Sequence, residues 1–156
     1  EAYVVKSNMG DKMLEEVAKL GLFNAGDYAD RDMEKTVQAD MDLYDAVEKI
    51  LEIKNCLPVV GSDGASLGVL CENDVLSLMH SSQDAPGHVS EFARKDIPMF
   101  EVTDSLIDVA NTLVENKMKI AIVNESGRYF GSISQQGLIK HILIKRKQSL
   151  AAQQDA

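Results

Sequence analysis

The sequence predicts a mixed α/β (α+β) fold built from two copies of a β-α-β-β-α unit, packed with approximate two-fold symmetry behind an N-terminal helix. Three observations lead there. Sliding the 156-residue chain against itself by 63 residues superposes two apolar helical stripes without a gap. Behind each stripe lie a four-residue apolar run, a glycine-containing turn and a second short apolar run, the pattern of a hairpin. A unit this small buries little surface alone, so the two copies must share a core.

The elements follow in order. Asn8 to Leu22 carries Met13, Leu14, Val17 and Leu20 on one helical face. Thr36-Val37 reads as a first short strand. Asp42 then caps a helix with the stripe Leu43, Ala46, Val47, Ile50, Leu51. Leu57-Pro58-Val59-Val60 and Leu67-Gly68-Val69-Leu70 flank the turn 61–64 as strands, and Val75, Leu76 and Met79 mark a second helix. Shifted by 63, Met99-Phe100 is the strand, Ser105 the cap, and Leu106, Val109, Ala110, Leu113, Val114 the stripe. The hairpin is Ile120-Ala121-Ile122-Val123 with Phe130-Gly131-Ser132-Ile133, and Leu138, Ile139 and Ile142 mark the last helix. Seven positions are identical between the copies: Leu43, Asp45, Glu52, Lys54, Val60, Gly64 and Gly68. The resulting division is an extension at 1–24, a first repeat at 25–80, a linker at 81–88 and a second repeat at 89–156. The basic stretch Lys145-Arg146-Lys147 suits the end of a helix, by the dipole, and residues 148–156 are expected to fray.

Composition narrows the function classes. Sixteen Lys and Arg against 25 Asp and Glu leave a net charge of −9, which disfavours a nucleic-acid partner. No apolar run approaches the roughly 20 residues of a membrane span, and the first residues lack a signal-peptide core. The expected setting is cytoplasmic, and a chain starting at Glu1 is expected to be part of a larger protein. His80, His88 and His141 have no metal-ligand spacing, and there is no nucleophile elbow or Walker loop, so neither a metal site nor catalysis is expected. The cysteines, Cys56 and Cys71, are expected as reduced packing residues. A hairpin centred between Asp63 and Gly64 would nonetheless set them opposite each other, within reach of a disulfide.

These residues resemble a tandem pair of CBS domains, a Bateman module, over about residues 25–145. The resemblance rests on the repeat, on Leu57-Pro58-Val59-Val60, and on Gly68-Val69-Leu70-Cys71-Glu72-Asn73-Asp74-Val75. The last follows the family pattern of Gly, two apolar-type positions, Ser/Thr, two variable residues, Asp and an apolar residue. It implies a regulatory module of a larger host that binds AMP, adenosine or S-adenosylmethionine between its copies. Exposed helix faces of such pairs imply a homodimer.

A bound nucleoside wants a carboxylate for its ribose hydroxyls, apolar walls for its base, and a helix N-terminus for any phosphate. In the first copy Asp74 supplies the carboxylate and Cys71 stands at the Ser/Thr position. Pro58 and Val59 would wall the base, and Thr36 and Val37 would offer backbone polar groups to its edge. Glu72 would repel a phosphate there by about 4 kcal/mol at ~4 Å. In the second copy Ser134 keeps the hydroxyl, but Gly137 replaces the aspartate. The expectation is therefore a better nucleoside site at Asp74, favouring an uncharged or cationic 5′ group over ATP. Two alternatives stay open. Asp74 and Ser134 can be plain helix-start residues in a ligand-free dimerisation scaffold. The acidic stretch Asp27, Asp30, Asp32, Asp40, Asp42 can serve a divalent-cation or ionic-strength sensor, or be only a solvated face.

Overall fold

The computed structural model describes residues 18–81 and 87–154. Most of the expected N-terminal helix and of the linker lies outside them. The described end of that helix, Lys19–Leu22, is a short 3-10 turn with Leu20 buried. Each repeat holds one three-stranded sheet. In the first, β1 (Val37–Gln38) pairs in parallel with β2 (Leu57–Val60), which pairs antiparallel with β3 (Ser66–Leu70). In the second, β4 (Met99–Glu101), β5 (Ile120–Glu125) and β6 (Arg128–Ser134) repeat that order. A one-turn helix α1 (Ala25–Tyr28) precedes them. Helices α2 (Leu43–Ile53) and α3 (Glu72–Ser81) belong to the first repeat, α4 (Leu106–Glu115) and α5 (Gln135–Gln154) to the second. The first strand starts one residue later than the sequence indicates. Helix α5 runs to Gln154 instead of fraying after Lys147, because no Gly or Pro interrupts a run of helix-forming Lys, Leu, Ala and Gln.

Asp42 caps α2, its carboxylate accepting the Tyr44 N–H at 3.1 Å. Ser105 stands at the corresponding position of α4 without a side-chain bond. Both stripes are buried, Ala110 only partly, except at their last residue: Leu51 and Val114 are 58% and 70% exposed. The duplication thus preserves an exposed apolar position as well as the buried ones. Leu57, Val59, Val60, Ile120, Ile122 and Val123 are all core.

The lead-in of each repeat packs into the core of the other. Leu20, Phe23, Ala25, Tyr28 and Ala29 join the cluster of Leu106, Val109, Leu113 and Val123. Val89, Phe92 and Ala93 join that of Leu43, Val47, Ile50 and Val59. Backbone bonds follow the same exchange: the Ala25 and Gly26 N–H groups donate to the Asp104 and Val102 carbonyls, and those of Val89 and Ser90 to Met41 and Ala39. A third cluster of Cys56, Val69, Cys71, Ile97, Ile120 and Ile122 fills the seam between the sheets. The packing units are therefore offset from the sequence repeats, with residues 20–29 belonging to the second core.

The exchange explains two of the shared glycines. Lead-in backbone crosses the last strand of each opposite sheet, with Val69 and Arg94 exchanging two N–H···O bonds of 3.0 and 2.8 Å, and Asp30 and Ser132 two of 2.7 and 3.0 Å. A Cβ on Gly68 would fall against the Arg94 carbonyl, and one on Gly131 would stand 2.6 Å from the Asp30 carbonyl. The shared lysine has a backbone role too: Lys54 and Lys117 both adopt left-handed φ, 62° and 53°, just past α2 and α4.

The hairpin register confirms that Cys56 faces Cys71, since Leu57 pairs with Leu70 and Pro58 with Val69. The two cysteines are joined as a disulfide with Cα atoms 4.1 Å apart. This corrects the expectation of reduced packing cysteines. The antiparallel register delivers both sulfurs to one point at the open end of the hairpin.

Candidate functional site at the seam between the repeats

Because the lead-ins cross over, each cleft at the seam combines the helix start of one repeat with the lead-in of the other. One is a cavity of about 250 Å³. The first repeat contributes Asp30, Lys35 and Cys56, and the second contributes Ser134, Gly137 and Lys140. The Ser134 hydroxyl accepts the Gly137 N–H at 3.0 Å and so caps α5. A Cβ at Gly137 would lie 3.1 Å from that hydroxyl oxygen, which favours glycine there. Two ammonium groups and a helix N-terminus thus border one cleft.

Asp30 is the acid of this cleft. Its carboxylate accepts from the Lys35 Nζ at 2.7 Å and from the Asp32 N–H at 3.0 Å. Burial works against its charge, but those two donors outweigh burial and hold its carboxyl below the ordinary value. The same hydrogen bond and charge raise Lys35. Beside them Tyr129 is pushed up to about 12, chiefly by burial. The lowered value of Asp30 means that its contribution to stability is present above about pH 4 and lost as pH falls through the folded value. Both side chains are about half exposed, which limits that contribution to at most ~1 kcal/mol. Asp30→Asn is therefore expected to lower stability by up to that amount at pH 7 and by less at pH 3, the difference shrinking as pH falls through the folded value. Denaturant melts at the two pH values check this.

Across the seam stands Asp74, in the first turn of α3, its N–H donating to the Cys71 carbonyl at 3.0 Å. Arg94, from the second repeat's lead-in, brings its Nε to 4.0 Å from the Asp74 carboxylate and 3.7 Å from Asp96. Asp74 Oδ2 is shielded from solvent and accepts no hydrogen bond. Arg94 also borders an open depression of about 470 Å³ with Ile97, Pro98 and Asn116.

The residues singled out from sequence are thus divided. Ser134 borders the Lys35–Lys140 cavity, and Cys71 reaches it through its bond to Cys56. Asp74 belongs to the Arg94 side. Thr36 and Val37 are buried with their polar groups engaged: the Thr36 hydroxyl donates to the Met33 carbonyl, the Thr36 carbonyl accepts from Lys49 Nζ at 2.6 Å, and Val37 pairs with Val59. Pro58 and Val59 lie in mid-β2, and the strand offers Cys56 and Leu57 to the cavity instead. Lys35, Arg94 and Lys140 were not foreseen as site residues, and Asp30 was foreseen only within the acidic stretch, since each reaches its neighbours in the other repeat through the crossing of the lead-ins and no local pattern marks that. The acidic stretch is dispersed: Asp30 pairs with Lys35, Asp42 caps α2, and Asp27 accepts the Asn24 N–H. Among the described residues no three His, Cys, Asp or Glu side chains converge as metal ligands would, and no helix is long and apolar enough to cross a membrane.

Comparison with known proteins agrees with this architecture. The structure is similar to CBSX2 in complex with AMP, at 21% identity and a TM-score of 0.70, covering 80% of this chain and 98% of that one. It is also similar to the CBS domain of a bacterial CNNM/CorC family Mg²⁺ transporter in complex with ATP, at 18% identity and a TM-score of 0.69, covering 86% and 97%. A third is Hypoxic Response Protein I with two coordinated zinc ions, at 20% identity and a TM-score of 0.65, covering 76% and 98%. At these identities the likeness establishes the fold. No curated protein sequence matches the chain. The CBS-domain family model matches twice, at residues 25–81 and 89–144, one match to each of the two crossed repeats: the chain belongs to the CBS-domain family, as a tandem pair.

Proposed function

We propose that this CBS pair is a non-catalytic regulatory module that takes an adenosine-type ligand between its repeats and transmits its binding to a host domain or protein. The observation that carries this is the cavity lined by Lys140, Ser134 and the start of α5 from the second repeat and by the Lys35–Asp30 pair from the first, a setting for a nucleoside monophosphate. The AMP and ATP in the complexes of two related folds support the ligand class. The Asp74 side is the second pocket of the same reading. It keeps a ribose acceptor, but Arg94 already stands beside it.

Calorimetry with AMP, adenosine, ATP and S-adenosylmethionine tests the reading. Lys140→Glu is expected to weaken AMP about tenfold, ~1.4 kcal/mol, while leaving adenosine nearly unchanged. If Asp74→Ala weakens the ligand and Lys140→Glu does not, the Asp74 pocket is the site. No binding at ~1 mM by any of the four returns the chain to the scaffold alternative, which the Arg94–Asp74 pairing favours.

The same proposal includes a homodimer. Leu76 on α3 and Ile139 on α5, 63 residues apart, are 80% and 54% exposed, beside the equally equivalent Leu51 and Val114. Such paired apolar surface favours a covering partner. Sedimentation at ~50 μM is expected to give a dimer, and Leu76→Lys with Ile139→Lys a monomer; an unaltered monomer in the parent chain sinks the idea.

A further inference from the structure

We propose that Cys56 and Cys71 are a reversible thiol–disulfide site that sets the shape of the cavity holding Ser134 and Lys140, so that a dithiol reductant is a second input to the module. The effect on ligand affinity rests on the nucleotide reading above, whereas the chemistry of the pair does not.

The two repeats hold the same joint in different ways. In the second, the joint between β6 and α5 is held by Gln135: its N–H donates to the Lys119 carbonyl at 2.9 Å, and its side-chain Nε2 to the Met118 and Leu113 carbonyls at 2.7 and 3.2 Å. The equivalent of Gln135 in the first repeat is Glu72, which is exposed. The equivalents of Lys119 and Ser134 are Cys56 and Cys71, and there the disulfide closes the joint between β3 and α3. Opening it releases the start of α3 from the start of β2. Cys56 lines the cavity, so the change is made in its wall; both cysteines are otherwise buried, at 6% and 5% exposed, which leaves the cavity as the side from which a small reagent would approach the bond.

The reaction balances as a two-electron exchange. A thiolate of a small dithiol attacks one sulfur, the S–S bond breaks, and its electron pair leaves on the other cysteine, which takes up a proton. The second thiolate of the reagent then displaces the remaining cysteine, closing the reagent's own disulfide and leaving two protein thiols. The oxidised form of the same reagent class reverses the sequence. The bridged wall is pre-organised, and its release costs affinity.

The test uses the full folded chain. With dithiothreitol and no denaturant, both cysteines are expected to become alkylatable by iodoacetamide, to re-bridge with oxidised dithiothreitol, and to bind AMP about tenfold more weakly while open. The Cys56→Ser/Cys71→Ser variant is expected to match the open form. A bridge that reacts only in denaturant, or equal AMP affinity in both forms, overturns the proposal. If neither form binds AMP, the nucleotide reading fails and amide hydrogen exchange decides the redox site. Faster exchange at Cys56–Leu57 and Glu72–Val75 on reduction supports it, and unchanged protection overturns it.

Discussion

Gly68→Ala is expected to be the most damaging single-methyl change in the molecule, lowering stability by about 3 kcal/mol. Two costs combine. The residue holds φ at 150°, a backbone conformation that side chains rarely adopt, and a Cβ there costs roughly 1–2 kcal/mol. The same Cβ meets the Arg94 carbonyl, so the lead-in strand must retreat and its two bonds to Val69 must lengthen, at roughly 0.5–1.5 kcal/mol each. For a chain of this size the melting temperature should fall by about 6–12 °C. Gly131→Ala meets the equivalent Asp30 carbonyl without the positive φ, and is expected to cost about 2 kcal/mol. A Gly68→Ala protein within ~0.5 kcal/mol of the parent in denaturant melts would mean that the lead-in does not cross β3 as described. Because that crossing also carries Arg94 to Asp74, the variant should disturb that pairing along with stability.

Reduction of the Cys56–Cys71 bridge is expected to lower stability by about 3 kcal/mol, the chain-entropy value for a loop of its 15-residue separation. The melting temperature should fall by about 6–12 °C with the fold retained, because Val69, Ile97, Ile120 and Ile122 still pack around the two thiols. Thermal melts with and without dithiothreitol measure it. Melts that coincide, with the thiols shown to be free, would place the restraint in the hairpin hydrogen bonds instead of the bridge.

Much of the architecture was legible because the duplication preserves local physics. The caps, the stripes and the hairpin glycines are short-range signals, and each recurs at the same offset in both copies. Even the facing of Cys56 and Cys71 could be worked out from the turn, since antiparallel pairing ties each position to one partner. Whether the facing thiols were bonded was not legible, because register delivers proximity and not oxidation. The candidate site was legible only in halves. Ser134 and Asp74 announce themselves as helix-start residues, but Thr36 and Val37 are buried with their polar groups engaged and Pro58 and Val59 lie in mid-β2, a burial that the local pattern does not reveal.

The sequence by itself determined two β-α-β-β-α units, their shared core and their family resemblance, since periodicity, capping and turn chemistry act within a few residues. Only the tertiary structure decided which groups meet at the seam. Residues 20–29 pack into the second core and 89–93 into the first, so Asp30 and Lys35 come to Ser134 and Lys140, while Arg94 comes to Asp74. The exchange depends on where two buried lead-ins find complementary apolar surface and free strand edges, and those exist only once the opposite repeat has folded.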